Sequence, residues 1–212
     1  MPHVPLTELV AAAQAGDRLV SFPTDTVPAL AVRPDRASLI FAAKRRSETK
    51  PLILMGADLA DLWEFVAGTP AEKAVWQQIA NRYWPGALTL VLPASDRLPV
   101  AVNPSNPTTI GIRVPDRAIA RHILARTGPL ATTSVNRSGD PPLQSLSDIN
   151  QQFPEVLTLL PSELERVEPD TTVDKPGSPA QSAVGVPSTV VQWTEEGWHI
   201  LRQGSVLFDP SA

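Results

Sequence analysis

The sequence contains no cysteine, which excludes disulfides, thiolate zinc sites and cysteine nucleophiles. It has no run of about 18 apolar residues, so we expect no segment to span a membrane. The first 20 residues include Glu8 and Asp17 and no long apolar run, so we expect no signal peptide and a cytoplasmic protein.

The common glycine-rich phosphate loops are absent. His122 and His199 do not lie in a metal-ligand spacing, so no protein metal site is predicted.

The composition is otherwise that of an ordinary globular protein, with 42% hydrophobic and 19% charged residues. A chain of 212 residues can bury one sizeable core, so we expect a single domain over residues 1–212. Its 23 prolines are about twice the average usage and predict long loops. Residues 161–186 lack periodicity and are predicted to form a loop-rich excursion. A pI near 5.4 argues against a general nucleic-acid coat, but a local basic patch for a phosphate-bearing ligand remains open.

Apolar periodicity and turn residues divide the chain into helices and strands. Helices are predicted over 6–15, 36–45, 57–66, 70–83 and 117–127, with a short one from Ser147. Strands are predicted over 19–22, 27–32, 52–55, 87–92, 109–114, 130–133, 187–193 and 198–202. Asp35 and Asp116 are expected to cap helices, Thr69 and Glu72 to form a capping box, and residues 93–107 to form a surface loop. This order predicts an α/β or α+β sheet covered by helices.

The most unusual segment is a basic run from Lys44 to Lys50, in which four of the 18 lysines and arginines fall within seven positions. The run ends a predicted amphipathic helix and leads directly into the apolar strand 52–55. Such a junction can hold several cations near one pocket without burying any of them deeply. A solvated helix C-terminus is the alternative, because cations suit the negative end of a helix dipole. The segment alone leaves both interpretations open.

Two further features lie within predicted strands or directly after them. Arg113 lies in a strand that is otherwise apolar, so it must find an acidic partner or bind an anion, and its own sequence context does not choose between these. Thr132, Ser134 and Asn136 offer hydroxyls and an amide that suit a phosphate or nucleotide, although such turns are also common structurally. Ligands of such sheets bind where strand ends converge. We therefore predict a site for positioning and charge neutralisation, with no covalent step.

Seven short motifs occur along the chain in a fixed order. They are Pro23-Thr24-Asp25-Thr26, Lys44-x-Arg46 with Lys50-Pro51-Leu52, Trp84-Pro85-Gly86-Ala87-Leu88-Thr89, Ile112-Arg113-Val114-Pro115, Ser134-x-Asn136-x-Ser138-Gly139, Pro187-Ser188-Thr189-Val190-Val191 and Leu201-Arg202-x-Gly204. Each motif is weak alone, but the series over residues 6–206 resembles the YrdC/TsaC family of threonylcarbamoyl-AMP synthases. The segment Val27–Ala31 departs from the Val-Tyr-Gly-Leu-Gly that is usual in that family.

The resemblance implies a twisted mixed sheet flanked by helices, with a basic concave cavity. It implies an L-threonylcarbamoyladenylate synthase, a nucleotidyltransferase that joins L-threonine, bicarbonate or CO2, and ATP and releases pyrophosphate. Mg²⁺ is expected to accompany ATP, held mainly by phosphates and water. Partner proteins would then transfer the threonylcarbamoyl group to the tRNA adenosine next to the anticodon.

The resemblance also implies roles for individual residues. Lys44, Arg46 and Arg113 would be the catalytic residues, and Arg113 would pair with the threonine carboxylate, for which a forked guanidinium is well suited. The ATP-binding set would be Lys44, Arg46, Ser134, Asn136 and Arg202. The threonine-binding set would be Thr24, Lys50, Arg113, Thr132 and Ser188.

Two other functions remain open at this point. The first is a non-catalytic module that binds tRNA or double-stranded RNA, or assists ribosome assembly, through the same basic cavity; the acidic pI weighs against it. The second is a related carbamoyl-adenylate chemistry with another acceptor, as in hydrogenase-maturation proteins that contain this domain. A single copy without acylphosphatase or zinc-finger segments makes the second less favoured.

Overall fold

The computed structural model describes residues 3–167 and 185–210, and every statement below concerns these ranges. The helices are α1 (Leu6–Ala15), α2 (Ser38–Lys44), α3 (Pro70–Tyr83), α4 (Ala118–Thr127), α5 (Leu146–Gln152) and α6 (Pro161–Val167). The strands are β1 (His3–Val4), β2 (Val20–Phe22), β3 (Ala29–Val32), β4 (Ile53–Met55), β5 (Leu88–Pro93), β6 (Thr109–Arg113), β7 (Leu130–Ser134), β8 (Leu157–Leu159), β9 (Thr189–Thr194) and β10 (Gly197–Arg202).

The ten strands form one sheet in the order β1-β8-β2-β3-β7-β4-β6-β5-β9-β10. Parallel pairs join β1 to β8, β2 to β8, β4 to β6 and β5 to β9, and the remaining neighbours are antiparallel. The predicted mixed sheet with flanking helices is therefore confirmed. No helix in the described ranges has the length and hydropathy needed to cross a bilayer.

Each face of the sheet packs against helices, and successive strand residues belong to different cores because they point to opposite sides. On β3, Leu30 joins a core with Phe41 of α2 and Trp76 of α3. The next residue of that strand, Ala31, joins a second core with residues of α1 and α4, among them Ile123. This second face is only partly covered by helices, and its uncovered part holds the cavity described below.

The clearest local predictions are confirmed at their boundaries. Helix α1 has the predicted bounds and ends at Gly16, which adopts the left-handed conformation with φ 73°. Helix α3 begins with the predicted capping box: the Thr69 hydroxyl accepts a hydrogen bond from the Glu72 backbone N–H, and the Glu72 carboxylate accepts one from the Thr69 N–H at 2.8 Å. Two of the N–H groups that lack an intrahelical partner at this helix start are thereby satisfied.

This cap gives the first testable expectation. Thr69→Ala should lower the free energy of unfolding by about 1 kcal/mol, because the hydroxyl that accepts from the third helical N–H is lost. Chemical denaturation of the two proteins measures the change. Thr69→Ser is the matched control, since it keeps the hydroxyl and should retain the wild-type stability. An equal loss in both variants would contradict the cap assignment.

Other local predictions were wrong for identifiable reasons. Residues 57–66 form turns and a single 3₁₀ turn, because the Asp58 and Asp61 carboxylates accept hydrogen bonds from nearby backbone N–H groups and compete with helix formation. Asp35 does not cap α2; its carboxylate pairs with Arg33 at 2.8 Å. Asp116 does not cap α4, whose N-cap position is occupied by the next residue without a side-chain cap.

The two short strands β1 and β8 were not predicted. The excursion predicted over 161–186 begins instead with helix α6. Most of its remaining length, residues 168–184, lies outside the described ranges, so this part of the prediction stays untested.

Candidate functional site

A cavity of about 640 Å³ opens on the sheet face that α4 leaves uncovered. Its floor is a row of register partners from five neighbouring strands: Thr132, Ile53, Gly111, Val91 and Gln192. Paired residues in a sheet point to the same side, so this floor follows directly from the strand register. The cavity floor is therefore formed by hydrogen-bonded neighbouring strands of the central sheet.

Gly111 occupies the centre of that row. A methyl group at this position would lie 2.7 Å from the Ile53 Cγ2 atom, which is closer than side-chain atoms approach one another. Because Gly111 has no side chain, no side-chain atoms project from the middle of the floor into the cavity. Gly111 thus sets the depth of the cavity.

The wall of the cavity is cationic. Its described lining residues include four cations and no carboxylate; the cations are Arg46, Lys50, Arg113 and Arg202. The whole chain, in contrast, has a net charge of -4. This concentration of positive charge in an acidic protein marks the cavity as a site for an anionic ligand.

Arg113 is held in a fixed orientation by three protein acceptors. Its guanidinium donates to the Asp25 carboxylate at 2.6 Å, to the Thr26 hydroxyl at 2.9 Å and to the Gly86 carbonyl at 3.0 Å. Its side chain is only 3% exposed, and this burial lowers the pKa of Arg113 despite the opposing effect of Asp25. The acidic partner left open by the sequence is therefore Asp25. A guanidinium has five N–H groups, so two are left without a protein acceptor among the described residues.

The basic run contributes a loop whose two ends are joined by hydrogen bonds from the Arg46 side chain. The Arg46 guanidinium donates to the Lys50 carbonyl at 3.1 Å and to the Pro51 carbonyl at 3.2 Å, and burial lowers its pKa. The Ser105 hydroxyl donates to the Glu48 carbonyl at 2.9 Å and joins this loop to the opposite wall. Arg46 is therefore placed by backbone contacts, and no acidic side chain pairs with it among the residues that the structure describes.

Lys44 is fully buried, although the sequence suggested that no cation of the run would be buried deeply. Its ammonium donates to the Ser134 carbonyl and to the Asn136 side-chain oxygen, the latter at 3.1 Å. The Ser134 hydroxyl donates to the same Asn136 oxygen at 2.6 Å. Burial, with a smaller effect of the Arg46 charge, lowers the pKa of Lys44 to about 7. Lys44 therefore lies behind the wall and supports the end of strand β7, which carries Ser134.

Arg202 and Ser188 form the third part of the wall. The guanidinium of Arg202 donates to the Ser188 carbonyl at 2.8 Å, and the Ser188 hydroxyl lies 2.9 Å from that of Thr89. Burial lowers the pKa of Arg202, and the charge of Arg113 lowers it further. The two guanidinium groups are therefore neighbours, a repulsive arrangement that a bound anion would relieve.

Seven of the ten predicted site residues line this cavity. They are Arg46, Lys50, Arg113, Thr132, Ser134, Ser188 and Arg202. The other three, Thr24, Lys44 and Asn136, lie outside the lining set. The Thr24 hydroxyl donates to the Val27 carbonyl at 2.7 Å and so fixes a segment that does line the cavity. The structure thus places seven of the predicted residues on the cavity surface and three outside it.

Several lining residues were missed. Asn103, Ser105 and Asn106 belong to the segment that the sequence indicated as a surface loop, yet they form one side of the cavity. Thr89 and Gln192 lie on cavity-facing strand positions. The density of amide and hydroxyl side chains at 103–109 was a signal, although it is also typical of solvent-exposed loops.

The mixed sheet and its cationic cavity define an α/β protein with a cavity on one sheet face whose charge suits an anionic ligand. A family model described as Sua5_yciO_yrdC, telomere recombination, matches residues 12–204. The chain therefore belongs to the Sua5/YciO/YrdC family, and the predicted family is confirmed.

Individual relatives agree with this assignment. The chain is 33% identical over 159 residues to the threonylcarbamoyl-AMP synthase of Chromohalobacter salexigens, which covers 73% of this chain and 83% of that protein. It is 39% identical over 132 residues to that of Bacillus subtilis, covering 59% of this chain and 36% of the relative. The crystal structure of Pyrococcus abyssi Sua5 complexed with L-threonine has a TM-score of 0.73 at 28% identity, covering 95% of this chain and 55% of that one.

These relatives differ in length. The match spans 36% of the B. subtilis relative and 55% of the Sua5 chain, but 83% of the C. salexigens protein. Escherichia coli YciO, with a TM-score of 0.74 and 20% identity over 99% of this chain and 95% of its own, supports the fold alone.

Proposed function

We propose that this protein is an enzyme, an L-threonylcarbamoyladenylate synthase of the nucleotidyltransferase class. The observation that carries the proposal is the cavity wall, on which four cations converge while no carboxylate is among its described residues. Such a wall suits a substrate with several negative charges, and ATP with an amino-acid carboxylate is such a set. The family membership and the relatives named threonylcarbamoyl-AMP synthase support the same reading.

The proposed reaction has two bond-forming steps. The amino nitrogen of threonine bonds to the carbon of CO2, which bicarbonate can supply, and loses a proton to give an N-carboxylate. One oxygen of this carboxylate attacks the α-phosphorus of ATP. The bond from that phosphorus to the oxygen bridging to the β-phosphorus breaks, and pyrophosphate leaves. Charge spreads over the phosphate oxygens, so the step needs distributed cations more than a strong base.

The residue roles are proposed on the same basis. Arg113 holds the threonine carboxylate with the N–H groups that its protein acceptors leave available. Because Arg202 is the neighbour of Arg113, threonine and ATP would meet at this wall. Lys44 and Asn136 would act from behind the wall by fixing Ser134. The proposed ATP set is Lys44, Arg46, Ser134, Asn136 and Arg202, and the proposed threonine set is Thr24, Lys50, Arg113, Thr132 and Ser188.

Mg²⁺ is proposed to enter with ATP. Within the described ranges, no three His, Cys, Asp or Glu side chains come together as a metal site. The donor chemistry of the wall is hydroxyl and amide, which fits a cation held chiefly by phosphate oxygens and water. Hydroxyls of this wall, among them those of Thr132, Ser134 and Ser188, would be the oxygen ligands that the protein adds. Bound Mg²⁺ would neutralise part of the charge on the triphosphate.

The product is an activated acyl adenylate, so a nucleophilic acceptor must consume it. We propose that a separate threonylcarbamoyl-transferase machinery passes the group to the tRNA adenosine next to the anticodon. Direct binding of tRNA or double-stranded RNA is the alternative role of the cavity.

A single assay tests the proposed function. The protein is incubated with ATP, Mg²⁺ and bicarbonate, and pyrophosphate release is followed with and without L-threonine. We expect release that depends on both threonine and bicarbonate, and little release with glycine, which lacks the side chain. Arg46→Ala is the variant to compare, because among the described residues the Arg46 guanidinium donates to backbone carbonyls and its loss leaves no carboxylate unpaired; it should raise the KM for ATP about tenfold or more. No threonine-dependent release, together with tight salt-sensitive RNA binding, would favour the RNA-binding alternative.

A further inference from the structure

A buried hydroxyl outside the cavity organises one of its walls. Thr189 is fully buried and does not line the cavity. Its hydroxyl donates to the Val206 carbonyl and accepts from the backbone N–H groups of Gly204 at 2.9 Å and Val206 at 3.3 Å. The side-chain amide of Gln203 also approaches it, at 3.4 Å. One side chain therefore ties the segment 203–206 to strand β9.

This segment, which we call the strap (residues 203–206), packs tightly behind the residues that face the cavity. The Ser205 N–H donates to the Pro187 carbonyl at 3.1 Å. A methyl group on Gly204 would lie 2.2 Å from that same carbonyl oxygen and 2.3 Å from the Ser188 carbonyl carbon. The strap can therefore lie against the 187–189 backbone only because residue 204 has no side chain.

The strap continues directly from Arg202, and the backbone that it contacts carries Ser188. Arg202 donates to the Ser188 carbonyl, so the two cavity residues are linked to each other as well as to the strap. Beyond the strap, Phe208 packs between Tyr83 and Trp198, with ring centroids 5.7 and 5.9 Å away. This anchor holds the far end of the segment.

We propose that Thr189 is a positioning residue for the cavity: its hydroxyl clamps the strap to the 187–189 backbone and thereby fixes Ser188 and Arg202. The inference rests on the proposed function for its kinetic readout. Thr189 belongs to neither the proposed ATP set nor the proposed threonine set, and it does not line the cavity. Removing the hydroxyl leaves the Gly204 and Val206 N–H groups without their acceptor. The strap would then move, and the orientation of the Arg202 guanidinium and the Ser188 hydroxyl would be lost.

Two variants of one residue test the clamp. Thr189→Val keeps the branched shape and removes the hydroxyl, whereas Thr189→Ser keeps the hydroxyl. We expect Thr189→Val to raise the KM for both threonine and ATP about tenfold while kcat stays within about twofold, and Thr189→Ser to remain within about twofold of wild type in all three. A purely structural role would instead lower kcat by reducing the folded fraction and leave both KM values unchanged. That pattern would overturn the inference.

A second variant and a second measurement test the clamp if the Thr189→Val protein folds poorly. Gly204→Ala pushes the strap off the same backbone and should give the same rise in KM. Inorganic pyrophosphate binding, measured by calorimetry, needs no turnover and should weaken about tenfold in Thr189→Val relative to Thr189→Ser. Wild-type protein that binds pyrophosphate without threonine-dependent release would reject the proposed function and leave the clamp intact. Equal pyrophosphate affinity in wild type and Thr189→Val would reject the clamp.

Discussion

Arg113→Ala is expected to raise the KM for threonine about a hundredfold or more while changing the affinity for ATP less than about threefold. The reason is the loss of a forked, charge-assisted contact to the threonine carboxylate from a guanidinium that Asp25, Thr26 and Gly86 hold in place. Steady-state kinetics with each substrate varied in turn measures both values. Equal losses for the two substrates would contradict the role given to Arg113.

The same variant should also be less stable, and this effect has to be separated from the kinetic one. Arg113 is buried with Asp25, and breaking a buried ion pair by removing one partner costs about 3–5 kcal/mol because the other charge stays buried alone. The double variant Arg113→Met with Asp25→Asn removes both charges. It should recover most of the stability and none of the threonine use. If it recovers threonine use as well, Arg113 serves only to neutralise Asp25.

The second large effect concerns Lys44 and pH. Burial lowers its pKa to about 7, so the ammonium loses its proton as the pH rises through that value. The positive charge behind Ser134 is then lost, and we expect the KM for ATP to rise about tenfold between about pH 7 and about pH 9. Lys44→Met should start with a high KM and show a flat profile. A wild-type profile parallel to that of Lys44→Met would contradict the role of this ammonium.

The free energy of unfolding should rise over the pH range in which the affinity for ATP falls. The pKa of Lys44 in the folded protein lies below the value of 10.5 expected for the unfolded chain. The unfolded chain therefore binds more protons between about pH 7 and about pH 10.5, and the free energy of unfolding gains from Lys44 across that window. The penalty for burying the ammonium is fully present below about pH 7. Denaturation of wild type and Lys44→Met at several pH values should show the difference between them shrinking as the pH rises.

Some of the fold was readable because its signals are local. Helix α1 has regular apolar spacing and a terminal glycine, and α3 has both halves of its capping box within four residues. Strands β1 and β8 carry no such signal, since they have two and three residues and pair with each other across more than 150 positions of sequence. The turns at 57–66 were missed because aspartates compete with the helix for its backbone hydrogen bonds.

The site was predictable where a residue type was conspicuous in its setting. Arg113 stood out as the one charge in an apolar strand, and the basic run stood out against an acidic chain. The burial of Lys44 was not readable, because it depends on a turn that is 90 residues away in sequence. Likewise, Asn103 belongs to the cavity because the Leu52 N–H donates to the Val102 carbonyl and draws that loop inward. Contacts between distant segments decide these positions, and no local pattern encodes them.

The contrast between the acidic chain and its cationic cavity has a kinetic consequence. At long range an approaching nucleotide meets a net negative molecule, whereas within roughly one Debye length, about 8 Å at physiological ionic strength, it meets four cations. Added salt screens the distant repulsion and the local attraction together. The rate of nucleotide capture should therefore vary little with ionic strength, while its escape should quicken as salt is raised.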